Sequence, residues 1–104
     1  MSDNEQVIST LKALGDSTRF SIIQLISQSG NNLCVNAIAH KTSVTQPTVS
    51  QHLKILKNAG IVKSSRMGNK IHYSIDTAYL NSLVRQINQV MEDSIKSVSN
   101  ENCR

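Results

Sequence analysis

Tryptophan is absent from this 104-residue chain, and Phe20, Tyr73 and Tyr79 are its only aromatic residues, so its core has to be built from isoleucine, leucine and valine. Short chains bury a smaller fraction of their surface than long ones, which makes association with a second copy a serious expectation. Cysteine occurs only at Cys34 and Cys103, with no CxxC or HExxH spacing, which excludes a locally encoded zinc site and a disulfide framework. Glycine is confined to Gly15, Gly30, Gly60 and Gly68, each where a turn is wanted, and no P-loop, GxGxxG or GxSxG motif is formed. Neither a paired acid and base nor an activated nucleophile stands out, so the chain reads as a non-enzyme that requires no cofactor and no metal. No apolar run approaches the ~20 residues of a membrane span. The opening Met1-Ser2-Asp3-Asn4-Glu5 is acidic where an export signal is basic and then apolar, so the expected location is cytoplasmic, with no membrane partner. Its length fits one domain, residues 1–98, followed by a flexible tail at 99–104.

Acidic residues are missing from more than half of the chain. Residues 17–75 hold none, while Arg19, Lys41, Lys54, Lys57, Lys63, Arg66 and Lys70 give that interval a charge of +7; the net charge of the whole is +4. Clustered Lys and Arg bind phosphates by releasing condensed counterions, so a polyanion is the leading partner. Charge alone fits an ordinary solvated basic face equally well.

Hydrophobic periodicity decides between the two. Val7, Ile8, Leu11 and Leu14 form one stripe of a first helix that Gly15 stops, and Asp16 or Ser17 caps a second helix carrying Phe20, Ile22, Ile23, Leu25 and Ile26. Leu33-Cys34-Val35 is too short to classify, a short helix follows over about 36–42, and Ser43-Val44-Thr45 makes a tight turn. Thr45 is the expected N-cap of the next helix, with Pro47 just inside it. That helix, Gln46 to Asn58, buries Val49, Leu53 and Leu56 and keeps Ile55 at the edge of the stripe. Its other face carries Gln46, Thr48, Ser50, Gln51, Lys54 and Lys57. These are amide, hydroxyl and ammonium groups suited to base edges and phosphates. A β-hairpin is predicted over about 61–75, where Ile71, Tyr73 and Ile75 alternate and Arg66 and Lys70 flank the tip at Gly68-Asn69. A long helix over about 77–98 repeats Leu80, Leu83, Val84, Ile87, Val90, Met91 and Ile95; with the first helix it offers the expected dimer surface.

The predicted order is α-α-α-α-β-β-α: mainly α with a small β-hairpin, a winged helix-turn-helix dimerising through its first and last helices. At this point the chain resembles the ArsR/SmtB family of bacterial and archaeal repressors. The resemblance rests on Leu11-Lys12-Ala13-Leu14-Gly15-Asp16-Ser17-Thr18-Arg19, on the stretch from Gln46 through Ser50-Gln51-His52-Leu53 to Val62, and on the hairpin with Gly68; it spans about residues 7–97. It implies a homodimeric repressor that places each Gln46 to Asn58 helix in a major groove of a near-palindromic double-stranded DNA operator. Gln46, Thr48, Ser50 and Gln51 then face base edges and nearby phosphates, while Lys54, Lys57, Arg66 and Lys70 face the backbone. His52 either touches phosphate or packs beside Leu56. Two other readings stay open, a winged helix without sequence preference and one that docks a protein.

Family members often sense metals. Where one common site has Cys-Val-Cys, this chain has Cys34-Val35-Asn36, and where another has Asp and His with further His or Glu, only Asp76 survives. Asn is a poor ligand for soft metals, so neither metal site is expected. Two alternatives remain for the thiols. Either Cys34 and Cys103 meet as a dithiol that binds As(III) or oxidises and so answers a thiol-reactive inducer, or Cys34 is a small packed hydrophobe and Cys103 a bystander.

Overall fold

The computed structural model describes residues 3–97, in the order α1 (Asp3–Leu14), α2 (Ser17–Gln28), β1 (Leu33–Cys34), α3 (Val35–Thr42), α4 (Gln46–Asn58), β2 (Val62–Met67), β3 (Lys70–Ile75) and α5 (Thr77–Ser97). Four helices surround one apolar centre in which Ile22, Ile26, Ile38, Val49, Leu53, Leu56 and Ile61 lose all solvent exposure. As the composition requires, this centre is aliphatic. The stripe expected on α4 is the buried one, and Ile55 at its edge stays exposed. No helix of the described residues is long and apolar enough to cross a membrane.

The α-α-α-α-β-β-α order needs one correction. Leu33–Cys34 is a strand, and it turns the expected hairpin into a three-stranded antiparallel sheet of order β1-β3-β2. Leu33 pairs with Tyr73 and Cys34 with His72. The ladder is prolonged by a side chain: Asn31, held at φ +61°, accepts the Ile75 N–H at 2.7 Å through Oδ1 and donates Nδ2 to the Ile75 carbonyl at 3.4 Å. An amide side chain thus plays the part of one more strand residue. The short third helix begins at Val35, one residue before the expected start.

Two further expectations change. Phe20, expected on a helix central to the core, is half-exposed, and Ile71 is exposed at the open end of the alternation whose inner end, Ile75, is buried. Thr45 is the N-cap of α4 by position, yet its side chain makes no capping bond. Its hydroxyl donates to the Thr48 hydroxyl at 2.9 Å instead. The cap therefore rests on backbone geometry and on Pro47, which has no amide hydrogen to leave unpaired.

Two turns set the wing's direction. At the end of α4 the Ile61 N–H reaches the Leu56 carbonyl and the Gly60 N–H the Lys57 carbonyl, both at 3.0 Å, with Gly60 at φ +86°. This pair of bonds is a Schellman motif. At the wing tip Gly68 has φ +67° while Asn69 keeps a negative φ, the pattern of a type II′ hairpin.

Gly60 also lies under Tyr79. A Cβ there would meet the ring at 3.3 Å, and the ring is held in place because its hydroxyl lies 2.7 Å from the Thr10 hydroxyl and accepts Gln6 Nε2 at 2.9 Å. Thr10, fully buried, donates in turn to the Gln6 carbonyl at 3.0 Å. The left-handed backbone costs a side chain about 1–2 kcal/mol and the displaced ring adds to it. Gly60→Ala is therefore expected to lower unfolding free energy by about 2 kcal/mol, read by urea titration.

Candidate nucleic-acid interface

The acid-free interval folds into α2, α3, α4 and the wing, and six of its seven cations end at the surface: Lys41, Lys54, Lys57, Lys63, Arg66 and Lys70 are all exposed, while Arg19 is partly buried. The periodicity that buries Val49, Leu53 and Leu56 turns the rest of α4 outward, so Gln46, Thr48, Ser50, Gln51, Lys54 and Lys57 are exposed together. Arg66 lies opposite Ile71 and Lys70 opposite Met67, which brings both charges to the turn end of the hairpin, beside Gly68-Asn69.

The polar face of α4 has two flanks, a division that a linear reading of Gln46, Thr48, Ser50 and Gln51 does not show. Gln46 and Ser50 line a cleft of about 250 Å³ with Cys34, Asn36, Asn69 and Lys70, between the start of α3 and the wing tip. Gln46 Nε2 donates to Asn36 Oδ1, which ties the first residue of α4 to α3. Thr48, Gln51 and His52 lie on the other flank, with Pro47 and Ile55. Lys57 Nζ donates to Ser64 Oγ at 2.8 Å and so braces the end of α4 against β2. Its ammonium has two further hydrogens for a phosphate.

His52 meets the start of α2. Its Nδ1 lies 3.3 Å from Arg19 Nη1 and 4.0 Å from Asp16 Oδ2. The segment Leu14-Gly15-Asp16-Ser17-Thr18-Arg19 builds this corner. Asp16 is the N-cap of α2 and its carboxylate accepts the Arg19 N–H at 3.0 Å, while Arg19 Nε donates to the Ala13 carbonyl at 2.6 Å. The capping bond from Arg19, with the Arg19 charge assisting and desolvation opposing, holds the Asp16 carboxyl below its ordinary value of 3.8. A carboxyl depressed in the folded state stabilises the fold above its unfolded value and loses that contribution as pH falls through the folded value. Asp16→Asn keeps a capping oxygen without the charge. It is expected to remove this part of the acid-side decline in stability, read by denaturation at a series of pH values.

Cys34 is partly buried and occupies the N-cap position of α3 without a side-chain capping bond. The register sets it opposite His72, which faces Ser65 across the other strand pair. His72 Nδ1 is buried and has no hydrogen-bond partner among the described residues. The expected partner thiol, Cys103, lies outside the described residues, as does the tail at 99–104. Asp76, the survivor of the other metal pattern, accepts the Tyr79 N–H at 3.1 Å at the start of α5. Among the described residues no group of three or more His, Cys, Asp or Glu side chains gathers as a metal site.

A second surface feature accompanies the polar one. Ile8 and Leu11 on α1 and Val84, Val90, Met91 and Ile95 on α5 are exposed, Ile95 at 72%. In α5 only Leu83 is buried; all residues from 88 to 97 are exposed. Such a stripe needs a covering surface.

Comparison with known proteins adds three findings. The family model described as bacterial regulatory protein, arsR family, matches residues 16–64, from the cap of α2 into β2. An HTH-type transcriptional regulator of Methanocaldococcus jannaschii is 34% identical over 90 residues, 86% of this chain and 100% of the relative; the arsenical resistance operon repressor of Staphylococcus aureus is 30% identical over 99 residues, 95% and 88% of the two. Among solved structures, the homodimeric winged helix-turn-helix DNA-binding domain from Mycobacterium bovis superposes with a TM-score of 0.68 at 27% identity, covering 100% of this chain and 96% of that one.

Proposed function

Because this chain belongs to the ArsR family of bacterial regulatory proteins, a family of winged helix-turn-helix transcriptional regulators, we propose that it is a sequence-specific repressor acting as a homodimer on a near-palindromic operator. The observation that carries the reading is the coincidence of two surfaces. One is the acid-free surface formed by α4 and the wing tip; the other is the unpartnered apolar stripe on α1 and α5. A two-fold axis through the second repeats the first on the same side, and recognition helices set one helical turn apart meet successive major grooves.

Within each protomer, Thr48, Ser50 and Gln51 read base edges with Gln46 at the margin, and Lys54, Lys57, Arg66 and Lys70 contact phosphates. The first group sets sequence choice and the second sets affinity. Competition of a selected operator against scrambled duplex at fixed salt tests this: specific binding is expected to exceed non-specific binding by about 10³-fold or more. Equal competition would leave only a winged helix without sequence preference.

Release by a thiol-reactive inducer is the finer part of the proposal. Its support is the seat of Cys34, whose cleft is shared with Gln46 and Ser50 of α4 and with the wing tip, so an adduct there displaces elements that must fit one groove together. Titration of the protein–operator complex with arsenite, diamide and polysulfide is expected to release the parent and not Cys34→Ser; Cys103→Ser shows whether the second thiol takes part. Equal release of parent and Cys34→Ser would remove the thiol from the account.

A further inference from the structure

A guanidinium donates hydrogen bonds and accepts none. In the neutral ring the nitrogen 3.3 Å from Arg19 Nη1 offers the lone pair, which makes His52 Nδ1 an acceptor and puts the imidazole hydrogen on Nε2; the Asp16 carboxylate, 4.0 Å from the same nitrogen, is too far to take a hydrogen bond from it. With Nδ1 turned toward Arg19, Nε2 on the other side of the ring is directed away from it, and His52 lies on the flank of α4 that also carries Thr48 and Gln51. The Arg19 guanidinium is itself fixed at one further point, Nε donating to the Ala13 carbonyl near the end of α1, while the Arg19 backbone N–H donates to the Asp16 carboxylate that caps α2.

We propose that Arg19 is a positioning residue for DNA binding: anchored to the end of α1, it locks His52 in the tautomer that presents Nε2–H to a backbone phosphate of the duplex. The inference rests on the DNA-binding reading and deepens it. Its geometry also ties the setting of α4 about its own axis to α1, the helix whose exposed stripe belongs to the proposed dimer surface. Pairing of protomers and presentation of α4 are then linked through one side chain.

Three variants separate this from a general structural role. His52→Asn keeps an acceptor near the Nδ1 position and loses the outward donor. His52→Gln places an amide N–H near the Nε2 position. Arg19→Met removes the lock. At fixed salt, His52→Asn is expected to bind operator and scrambled duplex about 100-fold more weakly, about tenfold for the charge-assisted hydrogen bond lost from each of the two protomers, and His52→Gln to recover most of the loss. Arg19→Met should lose a smaller part of that factor, because a freed neutral ring still samples the Nε2–H form, and combining it with His52→Asn should lose no more than His52→Asn alone, because Arg19 acts through His52. Losses that multiply in the double variant, or parent-like binding by His52→Asn, would overturn the proposal.

Nitrogen NMR of the His52 ring in the free protein at alkaline pH reads the tautomer without any DNA. A single Nε2–H form is expected in the parent and a mixture in Arg19→Met; an unchanged tautomer in Arg19→Met would overturn the lock. Failure of the parent itself to prefer its operator would instead count against the DNA-binding reading, so the two failures are distinguishable.

Discussion

Placing glutamates at Val90 and Met91 is expected to convert a dimer into single chains at micromolar concentration and to weaken operator binding by at least about 100-fold. Both side chains are exposed in the protomer, at 56% and 53%, so their replacement costs the isolated fold little. A dimer axis near the α5 stripe would bury them twice over. Completing the burial of each contributes on the order of 1 kcal/mol, and four copies across the axis are replaced by carboxylates that repel one another. Two half-sites bound by one linked pair gain from effective concentration, and that gain vanishes when the link is cut, with no change in the contacts α4 can make. Light scattering coupled to chromatography reads the mass and fluorescence anisotropy the affinity. A variant that remains dimeric would place the interface elsewhere; one that becomes monomeric and still binds at parental strength would refute the bivalent account.

Replacing Lys54, Arg66 and Lys70 together by alanine is expected to lower affinity on the order of 100-fold at moderate salt, and by similar factors for operator and scrambled duplex. All three are exposed, one on α4 and two beside the wing tip. Each phosphate neutralised contributes about 0.9 to the slope of log affinity against log salt, so six charges per dimer make the slope shallower by about 5. Gln51→Ala is the informative contrast. It should weaken operator binding by about 1–3 kcal/mol at one base pair and leave the salt slope alone. An unchanged slope in the triple variant would mean that the wing and the middle of α4 do not touch the backbone.

Much of the fold is legible in the amino-acid order alone, and the reason is local. The 3.6-residue spacing of Val49, Leu53 and Leu56, the glycines that end α2 and α4 and the Gly68-Asn69 turn are short-range signals, and all lie where expected. What the order of residues conceals depends on groups far apart in the chain. Leu33–Cys34 forms a strand only because β3 lies beside it, some 40 positions later, and the Asn31 amide completes that ladder by meeting Ile75. The Asp16–Arg19 segment carries a family resemblance and an N-cap on its face. That Arg19 reaches His52 is a property of how α2 crosses α4, and no spacing within either helix encodes it. Thr45 makes no side-chain cap, and its hydroxyl donates instead to Thr48, three residues on.

The claim on which the rest depends is that two protomers together read a symmetric site. Selection from a random duplex pool, followed by sequencing of the bound fraction, measures this and lets the protein itself choose the operator. The account requires enriched sequences made of two inverted half-sites with centres about 10–10.5 base pairs apart, bound by two chains. Enrichment of a single half-site, of direct repeats, or of nothing above the starting pool would contradict it.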